Sequence, residues 1–195
     1  MRRFVFALAV VVTTVAAAPK SQATTPFLDS KGNYHIETAE IDSNFTSGDF
    51  TMPQHVHLTR PGTDATADRA HGNSKHGTAT LQGNVVVHDS GNAPEAGNLP
   101  YQGSGPATLT CDKLSIDSKA KKYTADGNVH FTQGTRHGTA DHGVLDRGNN
   151  ELTLTGNVHL ADGDSTMAAN SVEYNLVTRE AKIVGAPVKL SQPAK

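Results

Sequence analysis

The 195-residue sequence has no tryptophan, a single cysteine (Cys111) and only 5% aromatic residues. One cysteine excludes an internal disulfide framework and any multi-cysteine zinc module. Scarce large aromatics leave a thin core, because those side chains supply much of the buried area in most domains. Charge is sparse as well, with 18% of residues charged and a formal net charge of −2. That is not a disordered polyelectrolyte, and it lacks the basic footprint of a nucleic-acid binder. Punctuation is abundant: eighteen glycines and nine prolines mark many turns and short elements.

The N-terminus reads as an address. Arg2 and Arg3 precede an apolar run from Phe4 to Ala18 that only Thr13 and Thr14 interrupt. The run has the length of a signal-peptide hydrophobic region and falls short of the roughly 20 residues that span a bilayer. Small residues two apart end at Ala18 and at Ala23, and Pro19 disfavours cleavage after the first. A signal peptide over 1–23 is therefore expected, with Thr24 as the mature start. Its removal takes away Arg2, Arg3 and Lys20 but no acid, moving the net charge from −2 to −5. No cysteine follows the run to mark a lipoprotein. An exported, soluble, mildly acidic protein is the expectation; a retained N-terminal anchor is the alternative.

The rest is organised by a repeat. Gly83-Asn84-Val85, Gly127-Asn128-Val129 and Gly156-Asn157-Val158 each lead into a further alternating strand, with degenerate copies at Gln54-His55-Val56 and Gly185-Ala186-Pro187. The anchors at 54, 83, 127, 156 and 185 are 29, 44, 29 and 29 residues apart, so one interval carries an insertion of 15. A second motif keeps step: Ala39-Glu40, Ala67-Asp68, Cys111-Asp112, Ala140-Asp141 and Ala169-Asn170. Repeats of this length that cannot bury a face alone signal stacking. Leu152, Leu154, Val158 and Leu160 alternate with polar neighbours, the period of a strand with one apolar face. Five units of two strands predict at least ten antiparallel strands. The recurrent glycine inside a strand predicts a bend or bulge that folds the sheet over. The insertion, rich in Gly and Pro, reads as a surface loop over 89–106. Pro53 and Pro187 place the first and last copies at the two ends of the stack, since proline is tolerated at sheet edges.

Competing chemistry is weak. His57, His130 and His159 share one repeat position on the polar face. With equivalent strands two apart, their rings stand about 9–10 Å from one another, too far to share an ion. Cys111 occupies a slot that alanine holds in the other copies, so it reads as a packing residue. Asp68, Asp112 and Asp141 recur once per repeat, where a catalytic set should appear once, and read as turn or strand-end residues. No nucleophile elbow, zincin motif or P-loop is present. No enzyme, metal or cofactor is expected.

The run of Gly-Asn-Val strands, the Ala-Asp strand starts, the loop ending Gly105-Pro106-Ala107-Thr108-Leu109 and the signal peptide resemble the OstA-like family, of the LptA type. The resemblance covers roughly Ile36 to Leu190, so the expected organisation is a signal peptide (1–23), an extension (24–35), an OstA-like domain (36–190) and a tail (191–195). It implies an all-β, twisted antiparallel β-jelly roll, V-shaped and open-ended, whose apolar interior holds lipid A acyl chains. It also implies a periplasmic, non-enzymatic bridge carrying lipopolysaccharide between the membranes. Its partners would be an LptC-like inner-membrane protein, an LptD-like outer-membrane protein and further copies stacked head to tail. Val56, Leu58, Leu81, Val85, Val87, Leu114, Ile116, Val129, Phe131, Leu145, Leu152, Leu154, Val158, Leu160, Val172 and Ile183 are the candidate groove. Two rival readings remain: a membrane-anchored LptC-like member, and a structural β-repeat protein without a lipid ligand.

Overall fold

A computed structural model describes residues 35–90, 105–185 and 189–191. The expected signal peptide, most of the 89–106 loop and most of the tail lie outside the described residues. Among the described residues, fourteen strands form one antiparallel sheet: β1 (His35–Thr38), β2 (Asp42–Ser43), β3 (Asp49–Met52), β4 (Val56–Arg60), β5 (Thr63–Ala67), β6 (Arg69–Asn73), β7 (Thr78–Asp89), β8 (Ala107–Asp117), β9 (Lys122–Gln133), β10 (Arg136–Asp146), β11 (Glu151–Asp162), β12 (Ser165–Asn175), β13 (Ala181–Val184) and β14 (Lys189–Ser191). From β7 to β12 every strand pairs with its sequence neighbours, as stacked hairpins must. The excess over ten has a local cause. Long strands of the outer repeats are split, β1 from β2 at 39–41, β3 from β4 at Pro53–His55 and β5 from β6 at Asp68, and β13 and β14 are separate strands on β12.

The repeated Gly-Asn is what bends the sheet. Gly83, Gly127 and Gly156 have φ of 77°, 72° and 76°, and the asparagine after each has φ 47°. Two consecutive left-handed residues step out of the ladder, and the pairing register shifts beside each of them. Glycine takes this backbone without a Cβ penalty, and asparagine is among the few other residues that tolerate it. A methyl group on any of the three glycines would collide with the carboxylate of Asp68, Asp112 or Asp141. The expectation of turn or strand-end residues holds for Asp68, at the bend between two strands, and not for Asp112 and Asp141. Asp112 and Asp141 sit inside β8 and β10, and Asp68 fills the gap between β5 and β6. Each accepts a hydrogen bond from the asparagine that follows its glycine: Asn84 at 3.0 Å, Asn128 and Asn157 at 2.9 Å. The degenerate first copy keeps a longer version, with Gln54 Nε2 donating to Glu40 Oε2 at 3.2 Å.

This line of corners divides the sheet into two wings. The first contains β1, β4, β5, β14 and the halves of β7–β12 that pair with them; the second contains β2, β3, β6, β13 and the other halves. Hydrophobic side chains of both wings form one cluster, including Val85, Val129, Phe131 and Val158 from the first and Leu81, Leu114, Leu154 and Val172 from the second. Each such side chain contributes about 1.5–3 kcal/mol on burial. The turns at the free end of the second wing are stacked as well: Ser74 N donates to Gly48 O, Ser118 N to Gly77 O, Arg147 N to Lys121 O and Leu176 N to Asn150 O, at 2.8–3.0 Å.

Candidate functional site

Inward-facing residues run in unbroken cross-strand rows. In the second wing, nearest the corner, the register joins Ala70, Leu81, Leu114, Ala125, Gly143, Leu154, Val172 and Ile183. One step outward come Ala79, Ile116, Tyr123, Leu145, Leu152 and Tyr174. In the first wing Leu58, Ala65, Val87, Leu109, Phe131, Gly138, Leu160 and Met167 form the corresponding row.

Between the wings lies a cavity of about 140 Å³. Nine of the sixteen candidate groove residues line it: Leu58, Val87, Leu114, Ile116, Val129, Phe131, Leu145, Leu152 and Leu154. Val56, Leu81, Val85, Val158, Leu160 and Val172 are buried core outside its lining, and Ile183 packs against that core. The sequence reading missed Leu109, Tyr123, Ala125 and Gly143, which also line the cavity. The repeat held the signal for Tyr123. It stands four residues before Gly127, as Leu152 stands four before Gly156.

Polar lining is confined to the strand ends. Arg60, Thr63 and Asp89 lie at the free end of the first wing, and Ser118 and Arg147 at that of the second. The carboxylate-bearing Asp89 is buried, and Thr63 Oγ1 is buried with no hydrogen-bond partner. From Gly143 beside the corner, through Leu145, to Arg147 at the rim, four residues of extended chain give a depth of about 13 Å. The site is an apolar cleft with a polar mouth. It offers hydrocarbon a place out of water.

The residues that invited other chemistry face elsewhere. His130 and His159 are exposed and both lie opposite Thr139 of β10, so they are two strands apart. His57 is held by Asp64 at 2.6 Å, with Glu37 at 3.6 Å from its other ring nitrogen. The hydrogen bond to Asp64 raises the His57 pKa above its ordinary 6.5. Among the described residues no three His, Cys, Asp or Glu side chains gather as metal ligands would. Cys111 is buried opposite Val85, and burial pushes its thiol up to about 11.

No family model matches the chain. A 96-residue stretch is 33% identical to the LPS-assembly protein LptD of Shewanella oneidensis, covering 45% of this chain and 12% of that protein. A 63-residue stretch is 36% identical to the LPS-assembly protein LptD of Shewanella denitrificans, covering 32% of this chain and 8% of that protein. The chain thus spans only 8–12% of the length of these curated relatives. Among solved structures, LptH, the LptA-homologous periplasmic component of the lipopolysaccharide transport device of Pseudomonas aeruginosa, aligns at 11% identity and a TM-score of 0.35 over 82% of this chain and 95% of its own.

Proposed function

We propose that this chain is an OstA-like carrier that shields the acyl chains of lipopolysaccharide during its passage through the periplasm, without catalysing a reaction. The observation that carries this reading is the cleft itself, apolar along its walls and polar only at the strand ends. A multi-acyl lipid loses about 0.8 kcal/mol for each CH₂ exposed to water, so transport through an aqueous compartment requires such a surface. A cleft with a polar mouth covers the chains and leaves a sugar headgroup in water. The local likeness to LPS-assembly proteins supports the same system. In that system the chain would dock an LptC-like protein at the inner membrane and an LptD-like protein at the outer membrane. The sixteen candidate residues form its lipid-facing wall and the core behind it.

Mass spectrometry of protein taken under native conditions from the periplasm of its own cells tests this. Co-purifying lipid A species are expected. Lipid-free protein that also fails to take up purified lipopolysaccharide would leave the structural-repeat reading in its place.

A further inference from the structure

We infer that Gly143 forms the seat of one hydrocarbon chain, and that the missing side chain there sets how deeply the chain enters the cleft. The inference rests on the lipid-carrier reading above and assigns its depth-determining residue.

Gly143 lies in the row beside the corner, where every other inward position carries a side chain. Two residues after the corner aspartate or its equivalent stand Ala70, Leu114 and Val172; the same place after Asp141 is glycine. Its neighbours across both strands are Ala125 and Leu154. The floor therefore drops over two adjacent small residues and rises again at Leu114 and Leu154.

A comparison with Gly138 separates a packing glycine from an open one. A Cβ built on Gly138 would lie 2.5 Å from the Phe131 ring and 2.6 Å from Leu160, so those side chains already fill its space. A Cβ on Gly143 would meet only the end of the flexible Leu154 side chain, Cδ2 at 3.3 Å, which must give by a few tenths of an ångström, and Val129 Cγ1 at 3.8 Å in ordinary contact. Gly143 lines the cavity and Gly138 does not. Its φ lies outside the left-handed region, so no backbone demand requires glycine there. Glycine in a strand interior costs stability, and at Gly143 no left-handed backbone offsets that cost. The cavity of about 140 Å³ that Gly143 helps to line is open at its mouth and has room at its floor for the end of a single alkyl chain.

The test uses Gly143→Leu and Gly143→Ala in the full chain, with cis-parinaric acid as a fluorescent fatty-acid probe and thermal melting as a fold check. Wild type should bind the probe, Gly143→Ala should bind a few-fold more weakly, and Gly143→Leu about tenfold more weakly, equivalent to roughly two methylenes kept from burial. Both variants should melt at or above the wild-type temperature. Unchanged probe affinity in a folded Gly143→Leu overturns the seat while leaving the carrier reading intact. A Gly143→Leu chain that fails to fold overturns it too, since the room claimed for the side chain would not exist. Wild type that binds no probe overturns the single-chain seat, while the carrier reading stands or falls on lipopolysaccharide uptake.

Discussion

Asn128 Nδ2 donates to the Asp112 carboxylate at 2.9 Å across two adjacent strands, and this one bond recurs in each intact repeat. It ties the left-handed Gly-Asn step to its neighbour and so fixes where the sheet folds. Because the carboxylate occupies the space beside Gly127, the two residues are coupled. Gly127→Ala should cost about 1–2 kcal/mol from the left-handed backbone alone, with the collision in addition. Asp112→Ala should cost about 1 kcal/mol. The double variant should cost less than the sum, since loss of the carboxylate makes room for the new methyl. Urea denaturation of the three variants measures this. Strictly additive losses would show that the carboxylate does not shape the corner.

Phe131 is 4% exposed and covers Gly138, whereas its neighbour His130 points outward. Phe131→Asp places an unpaired carboxylate in the cleft wall, a change that is costly without a partner. Lipopolysaccharide uptake should be lost in Phe131→Asp and retained in His130→Ala. Circular dichroism must accompany the assay, and a folded Phe131→Asp chain that binds normally would remove Phe131 from the wall.

Much of this arrangement was legible because the repeat is literal. Alternation along 152–160 gave the strands and their apolar face, and the recurring Gly-Asn gave the bulge. The role of the aspartates was hidden: Asp112 and Asn128 are sixteen residues apart, and only the register reveals that they touch. Gly143 was hidden for another reason. A glycine at an inward strand position reads as weak β-propensity, and nothing local distinguishes filled space, as at Gly138, from empty space. Fourteen strands satisfy the expected minimum of ten, and the surplus was not legible because a corner at Asp68, or a proline at 53, cuts one long strand into two.

Cys111 should be inert in the folded chain. Burial is the main cause that lifts its thiol to about 11, and only the thiolate reacts with electrophiles. Near neutral pH, iodoacetamide should leave the native protein unmodified and alkylate it fully in strong urea, as read by intact mass. Rapid native alkylation would mean that the first wing opens at Cys111.

The first edge of the sheet should soften in mild alkali. The Asp64 hydrogen bond raises the His57 pKa above 6.5, so the folded state binds that proton more tightly than the unfolded chain. The resulting stability is fully present below about 6.5 and is lost as pH climbs through the raised value. Partial exposure and solvent screening keep the effect small. Glu37 behaves oppositely: hydrogen bonds, first from His35 and then His57, lower its pKa, so its contribution fades as pH falls through the lowered value. Hydrogen exchange of β1 should accelerate on passing from mildly acidic to mildly alkaline pH by more than intrinsic exchange accounts for. His57→Gln should abolish that excess; an identical excess in the variant would assign it elsewhere.

The sheet path begins at β1 and ends at β13, and these terminal strands are unlike in sequence and in partner. Edges carry unpaired backbone groups and readily add another strand. Contact between unlike surfaces is heterologous, so it propagates unless the rotation closes a ring. Full-length protein should therefore form rods whose mass grows with concentration in light scattering. Deleting Ala181–Lys195 removes β13 and β14 while leaving β1 and the long central hairpins in place. Such a chain keeps its β1 edge but presents the bared β12 in place of the native β13 and β14, so it should join a rod and, lacking the native edge, extend it poorly. Added at a small fraction to full-length protein, it should shorten the rods, and alone it should stay monomeric. Rods that grow unchanged with the truncated chain present, or full-length protein fixed as monomer or symmetric dimer, would exclude edge-to-edge stacking while leaving the lipid cleft untouched.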